Sequence, residues 1–194
     1  MTNDLTRCAW VTADPLYQAY HDTEWGVPLH QDDRLFELLV LESAQAGLSW
    51  LTILKRRQAY RLHFADFRPE RVAAFSQPQI DALLQQPALI RNRKKVESAV
   101  HNARAFLAVA EDFGSFDRYL WQFVEGRPVI HHWARGDAVP ASTPLSERIS
   151  QDLKSRGFSF VGPTIIYAYL QASGVVMDHL TTCFRYPVLN PIGQ

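Results

Sequence analysis

The stretch Leu41-Glu42-Ser43-Ala44-Gln45-Ala46-Gly47-Leu48-Ser49-Trp50 decides how this chain is read. Followed back toward Asp32, the residues Leu35, Leu38, Leu39, Glu42 and Ala46 recur at the spacing of one helical face, the pattern of a buried stripe. Glu42 therefore falls in the middle of an apolar face. A charge buried without a partner is costly, so such a carboxylate either belongs to a structural ion pair or faces a cavity whose ligand completes it. This helix alone leaves the two readings level. Gly47 and Ser49 mark a tight break, after which a second helix is predicted from Trp50 to about His63, with the basic run Lys55-Arg56-Arg57.

Working outward, Asp14-Pro15 reads as an N-cap followed by proline at the first helical position, opening a short helix with Tyr17, Tyr20 and His21 that ends before Gly26 and Pro28. Two short helical patterns occupy Pro69 to Gln85, and Gln86 to Arg91 reads as a turn. Asn92 then caps a long helix from Arg93 to about Ala110, whose apolar positions Val96, Ala99, Val100, Ala103, Phe106 and Leu107 keep helical spacing. Further helices are predicted over Phe116–Val124, Pro144–Arg156 and Pro163–Gln171, with Gly174 as a C-cap, and a last helical turn over Met177–Cys183. Gly126–Ala141 reads as a loop. With no convincing strand alternation, the expected fold class is all-α, and the length of 194 residues suits one domain over 1–194.

Composition narrows the function classes. Lys plus Arg equals Asp plus Glu, so no global field draws the molecule toward nucleic acid or anionic lipid, and polyanion binding must come from local clusters. Met1-Thr2-Asn3-Asp4 lacks a basic and apolar leader pattern, and no apolar run is long enough to span a bilayer, so a cytoplasmic protein without membrane contact is expected. A monomer is expected as well.

Cys8 and Cys183 are the two cysteines, near opposite ends of the chain. In a reducing compartment they are buried thiols or metal ligands. His179-x3-Cys183 puts two ligand types one helical turn apart, and Cys8-x12-His21 supplies another pair; together they would saturate a tetrahedral zinc. The opposing reading is two buried thiols and two unrelated histidines. That each cysteine has a histidine nearby favours the metal, which would tie residues 8–21 to 179–183.

Tyr17, Tyr20, Trp25 and Trp50 lie near His21 and Glu42 in sequence. Aromatic faces with one carboxylate suit a flat cationic ligand, although aromatics at helical spacing also build ordinary cores. At Ile90-Arg91-Asn92-Arg93-Lys94-Lys95, exposed amides and cations at a helix start suit phosphate, against the alternative of a solvated charged turn. Ser49 lies outside any nucleophile elbow, and His131-His132 reads as ordinary loop.

Taken together, Cys8-Ala9-Trp10-Val11, Tyr17 to Pro28, Leu41-Glu42 with Gln45 to Trp50, Ile90 to Arg93, Phe160 to Thr164 and Asp178-His179-x3-Cys183 resemble the 3-methyladenine DNA glycosylase I family. The resemblance runs from about Arg7 to Tyr186 and weakens across Glu111–Ala141. It implies a helix-hairpin-helix DNA glycosylase fold, with that motif at about 78–110, and one structural Zn2+ on Cys8, His21, His179 and Cys183. It implies that double-stranded alkylated DNA is bound and 3-methyladenine hydrolysed from it, leaving an abasic site with no lyase step. The rival class is a zinc-stapled module that binds damaged DNA without excision.

In the same resemblance Glu42 and Tyr20 are the catalytic positions, and Glu42, Tyr17, Tyr20, Trp25 and Trp50 bind the base. Ile90, Arg91, Asn92, Arg93, Lys94 and Lys95 grip the DNA backbone. One departure is visible: Pro87-Ala88-Leu89-Ile90-Arg91 contains no glycine, whereas the superfamily's hairpin is glycine-rich.

Overall fold

The computed structural model describes residues 5–190, so the leader-free reading of Met1–Asp4 concerns residues outside it. The chain is organised around α2 (Asp32–Gln45), in which every residue from Leu35 to Ala44 is buried. That corrects the one-sided stripe. A helix buried on all faces lies at the centre of a core, and Ala46 sits just past its end as the C-cap.

Around it pack α1 (Pro15–Thr23), α3 (Trp50–Leu54), α4 (Arg57–His63), α5 (Pro69–Ala73), α6 (Gln77–Leu84), α7 (Arg93–Phe113), α8 (Phe116–Trp121), α9 (Pro144–Ser155), α10 (Pro163–Ala172) and α11 (Tyr186–Leu189). Helix α2 touches α3, α7, α8 and α10 directly. The capping signals act as read: Asp14 accepts from the Leu16 N–H, Asn92 from Lys95 and Thr143 from Ser146.

Four expectations are corrected. The predicted Trp50–His63 helix is two helices broken at Lys55-Arg56, a break that turns Arg57 toward the buried Glu37. Helix α7 runs on past Ala110 to Phe113, where Gly114 closes it in the left-handed region at φ +85°. Met177–Cys183 is not helical. Val176–Met177 forms strand β2, which pairs in parallel with β1 (Val129–Ile130) from the presumed loop, and turns follow through Cys183. Among the described residues the fold is thus mostly helical with one two-residue bridge, too short to show as alternation in the sequence.

Gly174 marks the tightest backbone approach at any glycine among the described residues. It ends α10 at φ +69°, and a Cβ there would lie 2.3 Å from the Val27 carbonyl carbon. The segment after α1 lies along the end of α10, with the Gly26 and Leu29 N–H groups donating to Gln171 and Ser173. This contact brings α1, with Tyr17, Tyr20 and His21, against the C-terminal part of the chain.

Candidate functional site: an aromatic cavity beside a Cys/His centre

Tyr17, Tyr20, Trp25, Glu42 and Trp50, picked out from sequence, line one cavity of about 850 Å³. Tyr20 and Trp50 tilt against each other at 5.5 Å between ring centroids. Ser49 accepts from the Thr52 N–H and caps α3, which sets Trp50 at the first position of that helix, facing back toward α2.

Glu42 is 4% exposed, and no hydrogen bond or ion pair engages its carboxylate among the described residues. Burial alone pushes its pKa up to about 8. The charge in turn raises the phenols of Tyr17 and Tyr20, in each case after the larger effect of their own burial. An acidic group that the protein leaves without a partner, inside a cavity of aromatic faces, is chemically suited to a cation that brings hydrogen-bond donors.

Several cavity residues stand in the motifs of the resemblance but have no role assigned there. Trp10 packs on Tyr17 and Trp25, each at 5.0 Å; its adjacency to Cys8 was the available signal. Gln45 follows Glu42 by three positions on the same helical face. Asp178 lines the cavity beside His179, but its carboxylate is fully used. It accepts hydrogen bonds from His131 (2.6 Å), Trp133 (2.8 Å), Gln171 (2.7 Å) and the Tyr167 hydroxyl. Burial would raise its pKa, yet these donors hold it below the ordinary carboxylate range. His131 is therefore no idle loop residue. It pins the segment whose Arg135, Gly136, Asp137 and Val139 form part of the cavity wall.

On the cavity's edge Cys8, His21, His179 and Cys183 converge, all buried, with their ligand atoms within 4.8 Å of one another. His179 Nδ1 lies 3.6 Å from Cys8 Sγ and 3.4 Å from Cys183 Sγ, and His21 Nε2 lies 3.5 Å from Cys183 Sγ. Zinc bonds of ~2.3 Å to sulfur and ~2.0–2.1 Å to nitrogen, at tetrahedral angles, would separate S and N by about 3.5–3.6 Å, so the donor set fits that ion.

The surroundings fit it too. His21 Nδ1 pairs with Asp22 at 2.7 Å and His179 Nε2 with the Trp25 carbonyl at 3.0 Å, leaving the other nitrogen of each ring for the centre. The N–H groups of Leu180 and Arg185 donate to the two sulfurs. Hydrogen bonds from Cys8 and then the histidines draw the Cys183 thiol well below its ordinary pKa, and its thiolate in turn raises Cys8. Gly26 is required here, because a Cβ at its φ of +78° would meet the His179 ring at 3.1 Å. The expected helical turn between His179 and Cys183 is absent; a reverse turn after β2 brings them together instead.

At the α6–α7 turn the cations divide. Arg91 and Lys94 are exposed, whereas Arg93 pairs with Asp81 and Glu97. Lys95 is committed elsewhere: its ammonium donates to the carbonyls of Ala44 (2.9 Å) and Ala46 (2.6 Å), capping α2. The Ile90 N–H donates to the Tyr60 hydroxyl at 3.3 Å. These two groups have partners inside the fold.

Comparison with known proteins agrees with this geometry. A family model described as methyladenine glycosylase matches residues 10–186. DNA-3-methyladenine glycosylase 1 of Escherichia coli K12 is 44% identical over 187 residues, spanning 96% of this chain and 100% of that protein. A crystal structure of 3-methyladenine DNA glycosylase I superimposes at TM-score 0.91 with 49% identity, over 94% of this chain and 100% of that one. A variant of 3-methyladenine DNA glycosylase I in complex with 3-methyladenine superimposes at 0.90 with 40% identity, over 93% and 97%. The chain belongs to the methyladenine glycosylase family, whose named members are glycosylases acting on N-glycosyl bonds.

Proposed function

We propose that the chain removes 3-methyladenine from alkylated double-stranded DNA by hydrolysing its N-glycosidic bond, leaving an abasic site. The observation that carries this reading is Glu42, buried in an aromatic cavity without a protein partner. Methylation at N3 makes the nucleotide's purine a cation, and a flipped cationic base supplies the charge and donors that Glu42 lacks. Trp50 and the tyrosines offer it their faces.

The positive base is already a good leaving group, so the protein's work is extrusion, selection and orientation. Water then adds to the sugar carbon as the bond to the base breaks, the base departs neutral, and the water's proton is released. Among the described residues no lysine lines the cavity, which supports a monofunctional enzyme, since a lyase step needs an amine.

Cys8, His21, His179 and Cys183 would hold one structural Zn2+. With four protein donors no position is left for water, so the ion would tie residues near the two ends of the chain and add folding free energy. The turn between α6 and α7 is read as the hairpin of a helix-hairpin-helix motif. Its phosphate contacts are Arg91, Lys94 and the free N–H groups at the start of α7, without the ammonium of Lys95 or the N–H of Ile90. Among the described residues no helix is long and apolar enough to cross a membrane.

Incubating the protein with methylated duplex DNA and chromatographing the released bases tests the reading. Free 3-methyladenine is the expected product; binding with no release would favour a lesion-binding module instead.

A further inference from the structure

The acidic character of the cavity raises a question about the rest of the nucleotide. Glu42, Asp137 and Asp178 line it, and the chain as a whole carries no net charge. A nucleotide whose base enters this cavity brings its sugar to the mouth and its phosphates to the rim, where neighbouring carboxylates are unfavourable. Among the described residues that line the cavity, Arg135 is the one cation.

Resting on the function proposed above, we propose that Arg135 grips a backbone phosphate of the extruded nucleotide. Its side chain is 78% exposed, so the guanidinium stands at the rim and not in the base-binding interior. Its partner is Asp137, reached through Nε (3.1 Å) and Nη2 (2.6 Å) in a pair exposed on both sides. Exposed ion pairs contribute little, and this one shows the fork already held in the geometry that a phosphate accepts. Exchanging one anion for the other is therefore easy.

The backbone leading to Arg135 is anchored although the side chain is exposed. It leads into a short 3-10 turn, Gly136–Ala138. The preceding residues are tied to β2 and its extension: β1 pairs with β2, the Thr181 N–H donates to the Trp133 carbonyl at 2.9 Å, and His131 and Trp133 both bond Asp178. A long cationic side chain on an anchored segment at the mouth of the cavity acts as a positioning residue. It would hold the nucleotide while Glu42 reads the base.

The experiment compares wild type with Arg135→Ala and Arg135→Lys in two assays. The first is binding of free 3-methyladenine, followed by tryptophan fluorescence. The second is the salt dependence of binding to a lesion-containing duplex, together with single-turnover excision. Arg135→Ala should keep its free-base affinity, require about tenfold more enzyme for half-maximal excision, and lower the salt slope by about one phosphate. Arg135→Lys should restore the slope. An unchanged slope in Arg135→Ala, a Lys variant that behaves like Ala, or an equal loss of free-base binding would each overturn the contact. If the wild type releases no base, the proposed function fails, while the duplex-binding slopes still decide whether Arg135 meets a phosphate.

Discussion

Glu37 and Glu42 are carried by the same helix and are 2% and 4% exposed, yet the protein neutralises only Glu37. Arg57 and Arg61 donate to Glu37 at 2.7 and 2.9 Å, and Arg34 approaches it at 3.0 Å. Burial would raise the Glu37 pKa, but the arginines overcome it and hold the group below its ordinary value. Glu42 has no such partner and shifts the other way. The fold completes one buried carboxylate and leaves the other unpaired against the cavity.

That contrast predicts opposite pH behaviour. Glu42 titrates at about 8 in the folded protein and near ~4.3 when unfolded. Between those values the folded state holds a proton that the unfolded state lacks. The stability Glu42 contributes is therefore full below its unfolded pKa and is lost as pH rises through about 8, by up to ~1.4 kcal/mol per pH unit. Denaturant unfolding of wild type and Glu42→Gln from pH 5 to 9 should show the variant gaining relative stability as pH rises. Parallel profiles would contradict the burial of an unpartnered acid.

Replacing the other carboxylate should damage the fold. Glu37→Gln leaves Arg57, itself only 11% exposed at the side chain, without its buried anion. Losing one partner of such a pair costs about 3–5 kcal/mol. The midpoint of urea unfolding reports it, and excision by the remaining folded protein should persist.

At the Cys/His centre, Cys183→Ser should abolish stoichiometric zinc and lower the thermal midpoint, because the ion's binding free energy is also folding free energy. Elemental analysis and thermal unfolding of the purified protein check this. One tightly held zinc per chain in that variant would refute the ligand set.

The sequence made Glu42 legible because a carboxylate interrupts an apolar helical period, a local signal. Glu37 gave no comparable signal, since Arg57 and Arg61, which donate to it, lie on α4, beyond α3. The His179-x3-Cys183 spacing pointed to two side chains that do converge, but through the wrong local structure, because a reverse turn also brings residues so spaced together. The wall from His131 to Val139 was hidden for a related reason. Its course is set by bonds to Asp178, a contact across the chain that leaves no periodic trace. Lys95 illustrates the remaining difficulty. A lysine in the first turn of a helix reads as a phosphate contact until the carbonyls ending α2 are seen to occupy it.

The two neighbouring lysines should therefore separate by assay. Lys95→Met removes the cap on α2 and should cost about 1 kcal/mol of stability, with the salt slope of DNA binding unchanged. Lys94→Ala should leave stability alone and reduce the slope by about one phosphate. The reverse assignment would place Lys95, and not Lys94, on the DNA.

The most direct test of the central claim is single-turnover excision of 3-methyladenine from one methylated duplex by wild type and Glu42→Gln, both verified as folded. Glutamine keeps the shape of the side chain and an acceptor oxygen but not the charge that matches a cationic base. The excision rate of Glu42→Gln should fall by about a hundredfold or more, the scale expected when a buried charged hydrogen-bonding partner is lost. Equal rates in the two proteins would contradict the claim.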